Sequence, residues 1–162
     1  MLDTYLGDIE YLVRERLWAD AAPLALALPH ICVALAHANL VSSHEDYLAW
    51  CQEWVQPPHD EPSKAVPSPE DLYRMAASHG VEQQLALSAG VPVNALRQLR
   101  LRRLSRAAPA RRTSLALPEI GNASGEPEAC AVLLDAVRNW YGDWATRDPV
   151  VQNNLARLAV LR

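Results

Sequence analysis

From Ala21 to Val41 this chain has no Asp, Glu, Lys or Arg, and that uncharged run limits what it can fold into more than any other feature. A stretch of this length and apolarity can span a bilayer. Pro23, Pro29, His30, His37, Asn39 and many alanines interrupt it, however, and they suit a protein interior better. The run therefore predicts a central helix from near Asp20 to about Asn39, buried on most sides. Pro23 fits its first turn, and Pro29 removes one internal hydrogen bond and kinks it. A helix of this kind needs amphipathic neighbours. Residues 2 to 18 supply one, with Leu2, Tyr5, Leu6, Ile9, Leu12 and Val13 at helical spacing and Asp8, Glu10, Arg14 and Glu15 largely opposite.

Further helices announce themselves by their starts. Ser42 with Glu45, or Ser43 with Asp46, makes a capping box ahead of an apolar stripe of Tyr47, Trp50, Cys51 and Trp54, and Pro57 ends that element. Ser68, Pro69 and Asp71 give an N-cap, a first-turn proline and a capping acid, and Gly80 gives the stop. Arg74 and His79 thus share a short helix of about eleven residues. Pro127 opens a helix with Cys130, Val132, Leu133, Val137, Trp140 and Tyr141 in its apolar set. Asp148 and Pro149 open a last one with Val151, Leu155 and Leu158 in line. The expected fold is all-α, one domain over residues 1 to 162, with a Pro-rich loop at 56 to 69 and a basic insertion at 81 to 122.

That insertion has two readings. In "QLALSAGVPVNALRQLRLRR", Ala86, Gly90, Val91, Leu96 and Leu99 fit a helix-turn-helix whose recognition helix bears Arg97 and Arg100. "LRQLRLRRL" also alternates, so it can be a strand with a basic face, paired with "TSLALPEI" in a small hairpin at about 92 to 122. Residues 97 to 112 hold seven arginines and no acid, so that with a net charge of −4 for the whole chain the remaining residues carry −11. Arg97, Arg100, Arg102, Arg103 and Arg106 are the candidate nucleic-acid contacts, or else a solvated basic loop.

Several chemistries are disfavoured. Cys32, Cys51 and Cys130 are odd in number and set among apolar neighbours, as reduced thiols in a cytoplasmic core are. The start "MLDTYLGDIE" lacks the basic end and apolar run of a secretory leader. His30, His37 and His44 recur every seven residues, about 10.5 Å along a helix, too far apart to share a metal that needs donors within about 2 Å. There is no paired-cysteine spacing, phosphate-cradling glycine loop or Gly-x-Ser-x-Gly elbow.

Arg74 and His79 form an Arg-x4-His pair, with Ser78 as an auxiliary donor. Chance alone supplies roughly 1.3 arginines followed by a histidine after four to six residues in a chain of this composition, so the spacing is not diagnostic. The five-residue step also rotates the helix by about 140° net, so the two side chains meet only where an interface wraps the helix. Each also has a local explanation, Arg74 as a partner of Glu70 or Asp71 and His79 as a cation at a helix C-terminus.

The segments "YLAWCQEWV", "DLYRMAASHG" and "EACAVLLDAVRNWYGDWATRDPVVQNNLARL", with the proline loop between the first two, resemble the HEPN superfamily and a bacterial branch within it. The resemblance implies a bundle of about five helices and a homodimer in which both Arg-x4-His pairs face one cleft. It implies RNA cleavage without metal or cofactor through the RNA's own 2′-hydroxyl, with Arg74 and His79 as the active pair. A toxin or antiviral defence role and a cognate antitoxin or regulatory protein follow from the same resemblance, with no membrane partner. The residue after the arginine is Met75, where active members often carry a polar one. The alternatives are a non-catalytic HEPN-like binding or regulatory protein, and a helix-turn-helix DNA-binding protein.

Overall fold

The computed structural model describes residues 2–55, 66–81 and 125–160, and its elements are α1 (Leu2–Arg14), α2 (Trp18–Leu26), α3 (Leu28–Ala36), α4 (His44–Trp54), α5 (Pro69–Ser78), α6 (Glu126–Trp140) and α7 (Pro149–Val160). A π-helical turn, Tyr141–Ala145, prolongs α6. No strand occurs among the described residues, and the all-α expectation holds. The basic insertion from residue 82 on, with its hairpin and helix-turn-helix readings, and residues 56 to 65 of the Pro-rich loop lie outside them.

The uncharged run is the axis of the fold. Its helical span Trp18–Ala36 is long and apolar enough to cross a bilayer by length and composition, and 78% of it is buried inside the protein. Ala21, Ala25, Leu26, Leu28, Cys32 and Ala34 have essentially no exposed surface. Burying a leucine of this kind stabilises the fold by about 2 kcal/mol. The helix starts at Trp18 rather than near Asp20, which leaves Pro23 inside α2 instead of in its first turn. It breaks at Ala27, two residues ahead of Pro29, whose ring has no N–H to give and crowds the carbonyl four residues back.

Around this axis α1 and α6 pack on α2, α4 and α7 pack on α3, and α5 rests on α2 and α4. Two tyrosine hydroxyls tie neighbours to the last-turn carbonyls of α2. Tyr5 of α1 donates to the Leu24 carbonyl at 2.9 Å, and Tyr47 of α4 donates to the Leu26 carbonyl at 3.4 Å.

Helix α1 ends at Arg14 rather than near residue 18, because Arg16 takes a left-handed conformation with φ of 57°. The Arg16 N–H then reaches the Val13 carbonyl at 3.0 Å and the Leu17 N–H reaches the Leu12 carbonyl at 2.9 Å, closing the helix with two reversed bonds. Of the two capping boxes open to α4, the protein uses Ser43 with Asp46. At α7, the Asp148 carboxylate accepts from the N–H groups of Val150 and Val151 at 2.8 and 3.0 Å.

The C-terminus of α3 is closed from far away in the chain. Asn154 of α7 is buried, and its amide donates to the carbonyls of Leu35 and His37, each at 3.0 Å. Arg157 donates to the oxygen of the same amide at 3.2 Å, which fixes which way it points.

Candidate functional site

Helix α5 begins where its sequence says it should. The Ser68 hydroxyl oxygen accepts from the Asp71 N–H at 3.1 Å and donates to the Asp71 carboxylate at 2.9 Å, with Pro69 in the first turn. Leu72 and Ala76 are fully buried on its inner face, and Met75 packs partly against the same core. Tyr73 stands in an aromatic cluster that anchors α5 to α3 and α4. It stacks on His44 with ring centres 3.9 Å apart, meets Tyr47 edge-on at 5.3 Å, and lies 6.4 Å from His30.

Arg74, one residue further, turns outward. Its side chain is 77% exposed and its Nη1 lies 2.9 Å from the Asp71 carboxylate one turn back. Asp71 therefore serves two partners, taking the Ser68 hydroxyl on one oxygen and the Arg74 guanidinium on the other.

His79 lies just past the helix, which is ten residues long and closes at Ser78. Its N–H accepts the role of cap by donating to the Met75 carbonyl at 3.0 Å, and Gly80 follows with a φ of 70°. Val81 is then buried, which holds the turn against the core. The imidazole faces α6: Nε2 is 3.1 Å from Oε1 of Glu126, with the two side chains 23% and 12% exposed. Glu126 is the first residue of α6, after Gly125 at φ of 120°, where unpaired helix N–H groups favour a carboxylate.

Arg74 and His79 thus diverge within one chain, as their spacing predicts. The arginine is held within its own helix and the histidine is held by a different one. Ser78 donates its hydroxyl to the Met75 carbonyl at 2.7 Å, a helix-end bond that leaves its oxygen able to accept. Arg97, Arg100, Arg102, Arg103 and Arg106 lie outside the described residues.

Glu126 is the residue that reading the sequence missed. "GNASGEPE" reads as a turn leading into a helix, and nothing local indicates that its first glutamate meets a histidine 47 positions earlier. Cys130, one turn along α6 from Glu126, offers no nucleophile beside this pair. Burial and the Glu126 carboxylate push its thiol up to about 12, so it stays protonated at neutral pH.

The other histidines of the seven-residue series have separate surroundings. His30 is buried, with Nδ1 3.0 Å from the Ser42 hydroxyl and its ring 4.6 Å from Tyr47. Burial first and His44 second hold its pKa down to about 4, so it is neutral near pH 7. His37 caps α3 and His44 opens α4. Among the described residues no three metal-ligating side chains converge.

The arrangement offers an imidazole that can take and return a proton, oriented by a carboxylate, and a guanidinium on the adjoining helical surface that offers planar donors to a phosphate. A scan of protein-family models and searches of curated proteins and of solved structures find no match to this chain.

Proposed function

We propose that this protein is a HEPN-like, metal-independent endoribonuclease that works in the cytoplasm as a homodimer, with Arg74 and His79 as its active pair. The observation that carries the reading is His79 itself: a part-exposed imidazole at the C-terminal cap of α5, held at 3.1 Å by a carboxylate, with the exposed guanidinium of Arg74 on the helix that it caps. In the reaction His79 removes the proton of the RNA 2′-hydroxyl. The 2′-oxygen bonds to phosphorus as the bond to the 5′-oxygen breaks, leaving a 2′,3′-cyclic phosphate and a 5′-hydroxyl. The histidine of the second protomer protonates the departing oxygen, and Arg74 leaves Asp71 to bind the negative charge growing on the phosphate. A dimer cleft lets two side chains that diverge in one chain act on one phosphate.

The test is cleavage of RNA by purified protein in EDTA. Wild type cuts, and His79→Ala and Arg74→Ala each lower the rate about 10²-fold or more. Variants that keep the wild-type rate show that the site is wrong. Growth after induction of wild type against His79→Ala, with inspection of cellular RNA, tests the toxin or defence role and whether an antitoxin is needed.

A second reading, a HEPN-like binding or regulatory protein that does not cut, is favoured by two observations. Met75 packs against the core where active relatives often place a polar residue, and Arg74 is already neutralised by Asp71. It predicts a dimer that leaves RNA intact. The helix-turn-helix reading rests on residues 84 to 103, and it predicts binding of duplex DNA with a sequence preference that Arg97→Ala weakens.

A further inference from the structure

We infer that Glu126 is a positioning residue for His79: it holds the imidazole proton on Nε2 and so makes Nδ1 the atom that exchanges protons with the RNA. The inference rests on the ribonuclease reading above. A neutral imidazole has one N–H and one bare nitrogen, and whichever nitrogen faces a fixed carboxylate keeps the proton. Here Nε2 faces Oε1 of Glu126 at 3.1 Å. With Nε2 turned to the carboxylate, the Nδ1 lone pair is the one left for a substrate.

Glu126 is fixed independently of His79. It opens α6, and Ala129, Cys130, Leu133 and Val137 bury that helix along its length. The first turn of a helix is a favourable place for a carboxylate. The carboxylate is therefore held in place while the imidazole gains and loses its proton, and it faces the imidazolium formed when His79 has taken the 2′-hydroxyl proton. His79 in turn has little freedom, since its backbone caps α5 and buried Val81 follows two residues on. The anion and the imidazole come from segments 47 positions apart, and both backbones are set by their own helix ends.

The experiment compares wild type, Glu126→Gln and Glu126→Ala by nitrogen-15 NMR of the His79 ring and by cleavage of a short RNA under saturating substrate in EDTA. Circular dichroism checks that each variant is folded. The expected wild-type spectrum is that of the Nε2–H tautomer. Glu126→Gln, whose amide NH2 can donate to Nε2, and Glu126→Ala each show the other tautomer at least in part. Cleavage falls in both, by as much as about 10⁴-fold where an amide fixes the wrong tautomer. A folded Glu126→Ala protein with the wild-type tautomer and wild-type cleavage overturns the inference. A wild-type protein that leaves RNA intact overturns the ribonuclease reading and the catalytic role of Glu126 with it, while the spectra still decide separately whether Glu126 orients His79.

Discussion

Among the described residues, His30 ties stability to pH most directly. Its pKa falls from 6.5 to about 4 on folding because a charged ring there would be buried, with His44 nearby and Nε2 without a hydrogen bond. The unfolded chain therefore takes up a proton between pH 6.5 and 4 that the folded protein refuses. Stability from this residue is fully present above about pH 6.5 and is lost as pH falls through about 4, a change of about 3 kcal/mol. Urea unfolding at pH 7 and pH 4 checks it: wild type loses about that much more than His30→Leu, which has no proton to take up. Asn154 is the second residue on which much depends. Asn154→Leu leaves the buried Leu35 carbonyl without its side-chain donor and the His37 carbonyl with the Leu40 N–H alone, at a cost of about 1 to 3 kcal/mol in the same assay. Asn154→Asp costs more, because it sets carboxylate oxygens against those two carbonyls.

At the scale of elements, the ends of the helices carry predictions of opposite sign. Ser43→Ala and Ser68→Ala each remove a side-chain cap and lower stability by about 1 kcal/mol. Arg16→Gly raises it by about 0.5 to 1 kcal/mol, because glycine takes the left-handed turn after α1 without strain, partly offset by the freedom it adds to the unfolded chain. Thermal unfolding of the three variants measures both signs. These same ends show what the sequence made legible. Ser43 with Asp46, Ser68 with Asp71, and Asp148 with Pro149 mark helix starts because a cap is made within four residues. Arg16 hid the end of α1, since a left-handed arginine carries no signal of the kind a glycine gives. The π turn at Tyr141–Ala145, the amide of Asn154 on α3 and the carboxylate of Glu126 at His79 depend on how distant helices pack. No window of neighbouring residues contains them. The short capped helix that carries Arg74 and ends at His79 was therefore legible, and the partners of the two side chains were only half so: Asp71 lies within one turn and Glu126 does not.

Over the whole molecule, charge is divided between a basic stretch and an acidic remainder, which sets how it would meet RNA. The seven arginines of residues 97 to 112 hold the phosphate backbone in the proposed enzyme, while the rest of the chain, at −11, repels it. Affinity for single-stranded RNA then falls steeply as salt rises, and each Arg→Ala change in the run flattens the log–log slope by about 0.7, as binding titrations at several salt concentrations measure. The pairing of His79 with Glu126 has a topological consequence as well. The described residues break off after Val81 and resume at Gly125, and the 3.1 Å contact between His79 and Glu126 brings these two ends together. For a chain joining two points already held together, each doubling of its length costs only about 0.6 kcal/mol more. The frame is thus built as a socket, into which a sequence of very different length can be spliced provided that its two ends come together.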